Sequence, residues 1–117
     1  MRHAYIPYGV YWSTPFVRWQ GSFAHLHALE FAAWVAKREL ARRDVPPSAI
    51  EHAVLGTTVP QKHSFYGVPW VTGMMGAPGV TGPTINQACA TSARCLSLAA
   101  SVIGTGEADS SLVITAD

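Results

Sequence analysis

Charge is scarce in this chain. Aspartate, glutamate, lysine and arginine make up 13% of its 117 residues, and none of the four occurs between His63 and Ala93. Eight basic side chains offset seven acidic ones, for a net charge of +1. There is accordingly no basic footprint for nucleic acid and no polybasic face for an anionic membrane surface. The uncharged run from 63 to 93 is long enough to cross a bilayer, but Gly67, Pro69, Gly73, Gly76, Pro78, Gly79, Gly82 and Pro83 interrupt it and would break a spanning helix. It is expected to be buried soluble structure, with no membrane partner. Met1, Arg2 and His3 are not followed by an apolar stretch ending in small residues, so no secretory leader is expected and the expected setting is cytoplasmic. Only two cysteines, Cys89 and Cys95, are present. They are too few for a disulfide framework and lack the paired spacing of a zinc site, so their interest is chemical. Internal repeats and low-complexity linkers are also missing.

What is present is apolar: 49% of the residues are hydrophobic. A chain of this length supports one core and one domain, residues 1–117. So much apolar surface, concentrated in the long uncharged run, also predicts a partner that covers part of it.

The pattern along the chain alternates. Residues Ala4 to Val17 are rich in Tyr, Val, Ile and Trp and are punctuated by Pro7, Gly9 and Pro15, which predicts an opening strand leading into a turn. Leu26, Leu29, Ala33, Ala36 and Leu40 recur at helical steps, and Lys37, Arg38, Arg42 and Arg43 gather in the last turns, where cations complement the helix dipole. That amphipathic helix should end near Arg43, stopped by Pro46 and Pro47. Ala53 to Val59 reads as a short apolar strand, Gly67 to Gly76 as a short irregular helix, and Pro83 to Ala88 as another strand. From Cys89 to Ile103 a helix is predicted whose only charged residue is Arg94, a composition that predicts burial all round. Gly104 and Gly106 suit its C-terminus, and Ser111 to Thr115 returns as a strand. Strands and helices alternating at these lengths predict an α/β layered fold with mostly parallel strands, a βαβαβ-type unit around a buried central helix.

The segment Thr84-Ile-Asn-Gln-Ala-Cys89-Ala-Thr-Ser92 places a thiol at a strand-to-helix junction, where unpaired backbone N–H groups collect. Two readings of Cys89 stay open on residue type alone. Free cysteine is among the most buried residue types, and inert core cysteines are common. A thiol at a helix N-terminus is, in contrast, a candidate nucleophile. Other candidates are weaker. His25 and His27 would point to different faces of a helix, which argues against a shared metal site and favours surface or capping roles. His3, His52 and His63 have no carboxylate or cysteine at a telling spacing. Arg94 is expected to make a buried or interface hydrogen-bonded pair, because a guanidinium left unpaired in an apolar setting is costly. Trp12, Trp19, Trp34 and Trp70 form no base-stacking stripe and are expected in core or interface packing.

Asn86-Gln-Ala-Cys89-Ala-Thr-Ser92, followed by Ala99, Ile103, Gly106 and Ala108-Asp109, is similar to the signature around the acyl-accepting cysteine of the thiolase family. Ser13-Thr-Pro-Phe16, Gly21-Ser-Phe-Ala24 and Val54-Leu-Gly-Thr57 also resemble the N-terminal half of thiolases, in the same order. Two departures stand out. Ser92 sits where most members carry glycine, which bears on the acyl pocket, and Thr115-Ala-Asp117 replaces the usual Ala-Gly-Gly, the mark of a divergent branch.

The resemblance implies a thiolase-like layered fold, of which this chain is the N-terminal part, and an acyltransferase acting on acyl-CoA thioesters. Cys89 would attack the thioester carbonyl and hold the acyl group as an S-acyl enzyme. Claisen condensation or thiolytic cleavage by coenzyme A would then release it, both by covalent ping-pong catalysis. Coenzyme A thioesters enter as substrates, with no covalently bound cofactor and no metal. The family uses the N–H of the nucleophile as one oxyanion donor. A helix terminus contributes up to ~2 kcal/mol but takes up no proton, so a base is still required. In thiolases a histidine of the C-terminal half supplies it. Residues 1–117 alone are therefore expected to be inactive, and the implied assembly is a homodimer, a higher oligomer, or a heteromer with a chain carrying the C-terminal half, with Thr84 to Ala88 near the subunit contact. Two alternatives are a non-catalytic thiolase-like subunit that binds acyl-CoA or lipid or scaffolds a partner, and a β-ketoacyl synthase. Asn86 and Ser13-Thr-Pro-Phe16 favour thiolase over synthase.

Overall fold

The computed structural model describes residues 2–117; Met1 lies outside them. Six elements carry the fold in the order α1 (Ala28–Arg42), β1 (His52–Gly56), α2 (Val68–Met74), β2 (Thr84–Ile85), α3 (Thr91–Gly104) and β3 (Ser111–Thr115). The strands form one parallel sheet in the order β2-β1-β3. Ala53, Val54 and Leu55 of the central strand are each buried, as a strand covered on both faces should be. Val54 packs with Cys95 and Ala99 of α3, whereas Ala53 and Leu55 join Leu29, Ala33, Val68 and Val71 of α1 and α2. The chain is thus an α/β sandwich with α3 on one face and α1 with α2 on the other.

Each helix has a local cause. His27, in an extended conformation, caps α1 by accepting the Leu29 N–H at its ring Nδ1, 3.1 Å away. The stripe Leu29, Ala33, Ala36 and Leu40 is buried. At the far end Asp44 takes a φ of 57° and Val45 N–H returns to the Leu40 carbonyl at 3.0 Å, a left-handed closing turn, before Pro46 and Pro47. In α2 the buried Thr72 satisfies its hydroxyl on the carbonyls of Val68 and Val80, both at 2.9 Å.

Several expectations are corrected. No strand forms within Ala4 to Val17. Pro7 and Pro15 have no N–H to give a ladder, Pro7 and Val10 close a turn at 3.0 Å, and the Arg43 guanidinium takes the Gly9 and Tyr11 carbonyls at 2.8 and 3.0 Å. The segment is pinned by a side chain instead of a neighbouring strand. The strand expected over Ala53 to Val59 stops at Gly56: Thr57 N–H still reaches the Ile85 carbonyl at 3.1 Å, but the N–H groups of Thr58 and Val59 bond to a side chain described below. The strand expected over Pro83 to Ala88 shortens to Thr84–Ile85, since Asn86 Oδ1 captures the Ala88 N–H at 3.0 Å. Finally, α3 is not buried all round. Thr91, Cys95, Ala99, Val102 and Gly104 are buried, but Leu96 is 48% exposed because no element of the chain packs over its outer face.

Gly56 sits where β1 meets both α3 and β3. A Cβ there would lie 2.8 Å from Cys95 Sγ, 2.8 Å from Thr91 Cγ2 and 2.9 Å from Thr115 Cγ2. Cys95 and Thr91 are buried with little room to retreat, whereas Thr115 is exposed. Gly56→Ala should therefore destabilise the fold by about 1–3 kcal/mol, read as a lower urea midpoint at unchanged slope; an unaltered midpoint would mean that the contact is softer than its geometry.

Candidate active site

The loop from β2 to α3 is built by side chains acting on backbone. Asn86 Oδ1 accepts from Ala88 N–H, the short Asx closure that amide side chains favour. Ala88 then adopts a φ of 47°, a left-handed conformation that costs a residue with a Cβ roughly 1–2 kcal/mol. Its peptide is held from the other side by Thr91, whose hydroxyl donates to the Ala88 carbonyl at 2.7 Å and accepts from Gln87 N–H at 2.8 Å. Gln87 in turn accepts at Oε1 from Arg94 Nε at 2.7 Å. Ala88 to Ala90 forms a single tight turn before α3 begins at Thr91.

Cys89 lies in the middle of that turn and is exposed, whereas Cys95 is buried. The N–H groups of Ala88, Ala90 and Thr91 are bonded to Asn86 Oδ1, the Gln87 carbonyl and the Ala88 carbonyl. Among the described residues the N–H of Cys89 has no such acceptor. A depression of about 290 Å³ opens in front of the thiol, lined among others by Gly56, Thr58, Cys89, Ser92 and Asp117. The site therefore combines an exposed thiol, a free donor on the same residue and a concave space beside both.

Residues 12–116 match the family described as thiolase, N-terminal domain. The chain belongs to the thiolase family. No curated protein matches it at the significance required. Membership places the chain among acyltransferases at the level of the family. The residues matched span every helix and strand described above.

The other sequence candidates are dispersed. His52 bonds to the Ser111 hydroxyl at 2.8 Å at the start of β1, the end of the strand away from the thiolase cysteine loop. His27 is committed to its cap and to the Lys62 carbonyl, and His3, His25 and His63 are exposed. Arg94 was expected in a buried or interface pair. It is exposed and its partner is the neutral Gln87, because the helix face that carries it is open. Trp12 and Trp70 pack against the core, but Trp19 and Trp34 are 85% and 58% exposed.

Asp117 was not foreseen as part of the site. Its carboxylate Oδ1 accepts from Thr57 Oγ1 at 2.9 Å, Thr58 N–H at 2.7 Å and Val59 N–H at 3.2 Å, and its Oδ2 accepts from Thr58 Oγ1. Partial burial pushes its pKa up, but the hydrogen bonds from Thr58, Thr57 and Val59 outweigh that effect and the net shift is downward. Sixty positions separate the partners, so no local spacing signalled the contact; the parallel register of Gly56 with Thr115 creates it.

Two outcomes follow. Burial pushes the Cys95 thiol up, and that side chain is out of reach of reagents, so iodoacetamide followed by peptide mapping should modify Cys89 well before Cys95; preferential modification of Cys95 would remove Cys89 from the site. For Asp117, a carboxyl held below its ordinary value of 3.8 makes the folded state bind fewer protons than the unfolded chain. Its stabilisation is complete above the unfolded value and is lost as the pH falls through the folded one. Urea midpoints measured from neutral pH into the acid range should thus fall less steeply below 3.8 for Asp117→Asn than for the parent; parallel curves would refute the clamp.

Proposed function

We propose that Cys89 is the nucleophile of an acyl transfer from coenzyme A thioesters, forming an S-acyl enzyme that is resolved by thiolysis or by Claisen condensation. The observation that carries this reading is the exposed thiol on the left-handed Ala88 turn with its own N–H unengaged. In the addition step the sulfur attacks the thioester carbonyl, the carbonyl oxygen gains charge, and the Cys89 N–H is placed to donate to it. Collapse expels the coenzyme A thiolate, which takes up a proton to leave as the free thiol. Loss of a single oxyanion-hole donor, measured for a side-chain amide in another enzyme, costs about 2.7–4 kcal/mol.

The thiol needs a base; His27 and His52 are hydrogen-bonded elsewhere, and no described histidine lines the depression beside Cys89. The reading therefore includes a base delivered by further protein, from a C-terminal half or a partner subunit. The expected substrates are acyl-CoA and coenzyme A.

The test is direct. Incubation with acetyl-CoA should add one acetyl group to the peptide containing Cys89, hydroxylamine should remove it, and Cys89→Ala should abolish it. Residues 1–117 alone should not cleave acetoacetyl-CoA. An acetyl group that persists in Cys89→Ala, or none in the intact assembly, would leave the non-catalytic binding or scaffold role in place of the acyltransferase.

A further inference from the structure

Asp117 stands where the thiolases that this chain resembles usually carry a glycine, and its carboxylate points away from any role as a free ligand group. Oδ1 already accepts from three donors and Oδ2 from a fourth, all within Thr57 to Val59. These bonds hold two peptide N–H groups, Thr58 and Val59, that have left the sheet ladder. The held loop is joined to the nucleophile turn. The Thr58 carbonyl lies 3.5 Å from Asn86 Nδ2, and Asn86 Oδ1 accepts from Ala88 N–H at 3.0 Å. Three links therefore run from the carboxylate to the residue whose left-handed backbone precedes Cys89. Asp117 and Cys89 also line the same depression, in which Asp117 is the one charged side chain among the described lining residues.

We propose that Asp117 is a positioning residue for Cys89: by clamping Thr57 to Val59 it fixes Asn86, and through Asn86 the Ala88 turn that presents the thiol. The proposal rests on the reading of Cys89 as the nucleophile, but it concerns presentation of the thiol and not the fate of the acyl group. Part of the cost of the left-handed Ala88 must be met by neighbours that over-determine it. Thr91 does so from the helix side and Asn86 from the strand side. Asn86 is fixed only if the Thr58 carbonyl it reaches is itself fixed, which is the task the carboxylate performs. Asparagine in place of Asp117 could keep this pattern, since its carbonyl oxygen can accept the three Oδ1 donors and its amide can donate to the Thr58 hydroxyl.

The test is the rate of Cys89 alkylation by iodoacetamide from about pH 6 to about pH 10, bracketing an ordinary thiol titration, in the purified protein. The high-pH plateau reads how the thiolate is presented, and the inflection reads charge. Asp117→Ala should lower the plateau by about three- to tenfold, the scale of one or two net hydrogen bonds. Asp117→Asn should restore it to near the parent value. Asn86→Ala should lower it similarly, and the double variant Asn86→Ala, Asp117→Ala should add little, as expected for members of one chain of contacts. A parent-like plateau in Asp117→Ala, or an Asp117→Asn plateau as low as that of Asp117→Ala, would overturn the proposal. Labelling of Cys95 monitors the fold. If Asp117→Ala exposes Cys95, Thr58→Val, which removes a single donor, is read instead; its plateau should fall, and an unchanged one would equally overturn the proposal. Failure of acetyl-CoA to acylate Cys89 would sink the nucleophile reading without altering these alkylation rates, so the two failures are distinguishable.

Discussion

The close approach at Gly56 sets the geometry on which the rest depends. At this one position a strand, the first turn of α3 and a second strand come so near that no Cβ fits, with Cys95, Thr91 and Thr115 all inside 3 Å of where it would be. Thr91 reaches this contact with its methyl group while its hydroxyl ties the Ala88 carbonyl and the Gln87 N–H. The same side chain thus packs against the sheet and holds the turn that carries Cys89. Moving α3 outward by the fraction of an ångström that a methyl group demands would pull on that turn directly. Packing in the core and orientation at the site are therefore one constraint, which is why a buried residue such as Cys95 and an exposed one such as Cys89 can be discussed in the same terms.

The sheet supplies the second half of the arrangement. Parallel pairing of β1 with β3 in the register Gly56 to Thr115 brings the two strand ends out side by side, and parallel strands deliver their loops to the same edge. The loop after β1, the loop after β2 and the end of β3 consequently meet at the carboxyl edge of the sheet, where the depression lies. Among the described residues no histidine lines the depression: His27 replaces the more usual hydroxyl or carboxylate as a helix cap, and His52 braces the far end of β1 against Ser111.

Legibility from the sequence tracks how local each cause is. The α1 stripe, its C-terminal cations and the prolines that follow are short-range signals, and the helix ends at Arg42, one residue from the expected Arg43. The thiol at a strand-to-helix junction was legible for the same reason, since Asn86, Ala88 and Thr91 act within a few residues of Cys89. Errors arose where backbone groups are claimed by distant side chains. Arg43 takes the carbonyls of Gly9 and Tyr11, and a segment with strand-like composition becomes an irregular arm. Asp117 takes the N–H groups of Thr58 and Val59, and a strand expected to reach Val59 ends at Gly56. Burial of α3 was overestimated because low charge was taken as a sign of a covered helix. Ser92, Ser97 and Ser101 let an open face carry no charge beyond Arg94.

The two departures from the family pattern that the sequence displays, Ser92 and Asp117, prove to be neighbours around one depression. Glycine at both positions leaves a backbone-walled space; serine and aspartate put two polar side chains on its rim. The carboxylate is turned inward to the Thr57 to Val59 loop and spends its lone pairs there, so it narrows the space without offering a charge to a ligand. Ser92 differs: it is exposed in the first turn of α3, directly after the turn that carries Cys89. On the proposal made above, Asp117 governs how rigidly the Cys89 turn is held, while Ser92 adds a hydroxyl to the rim of the same depression.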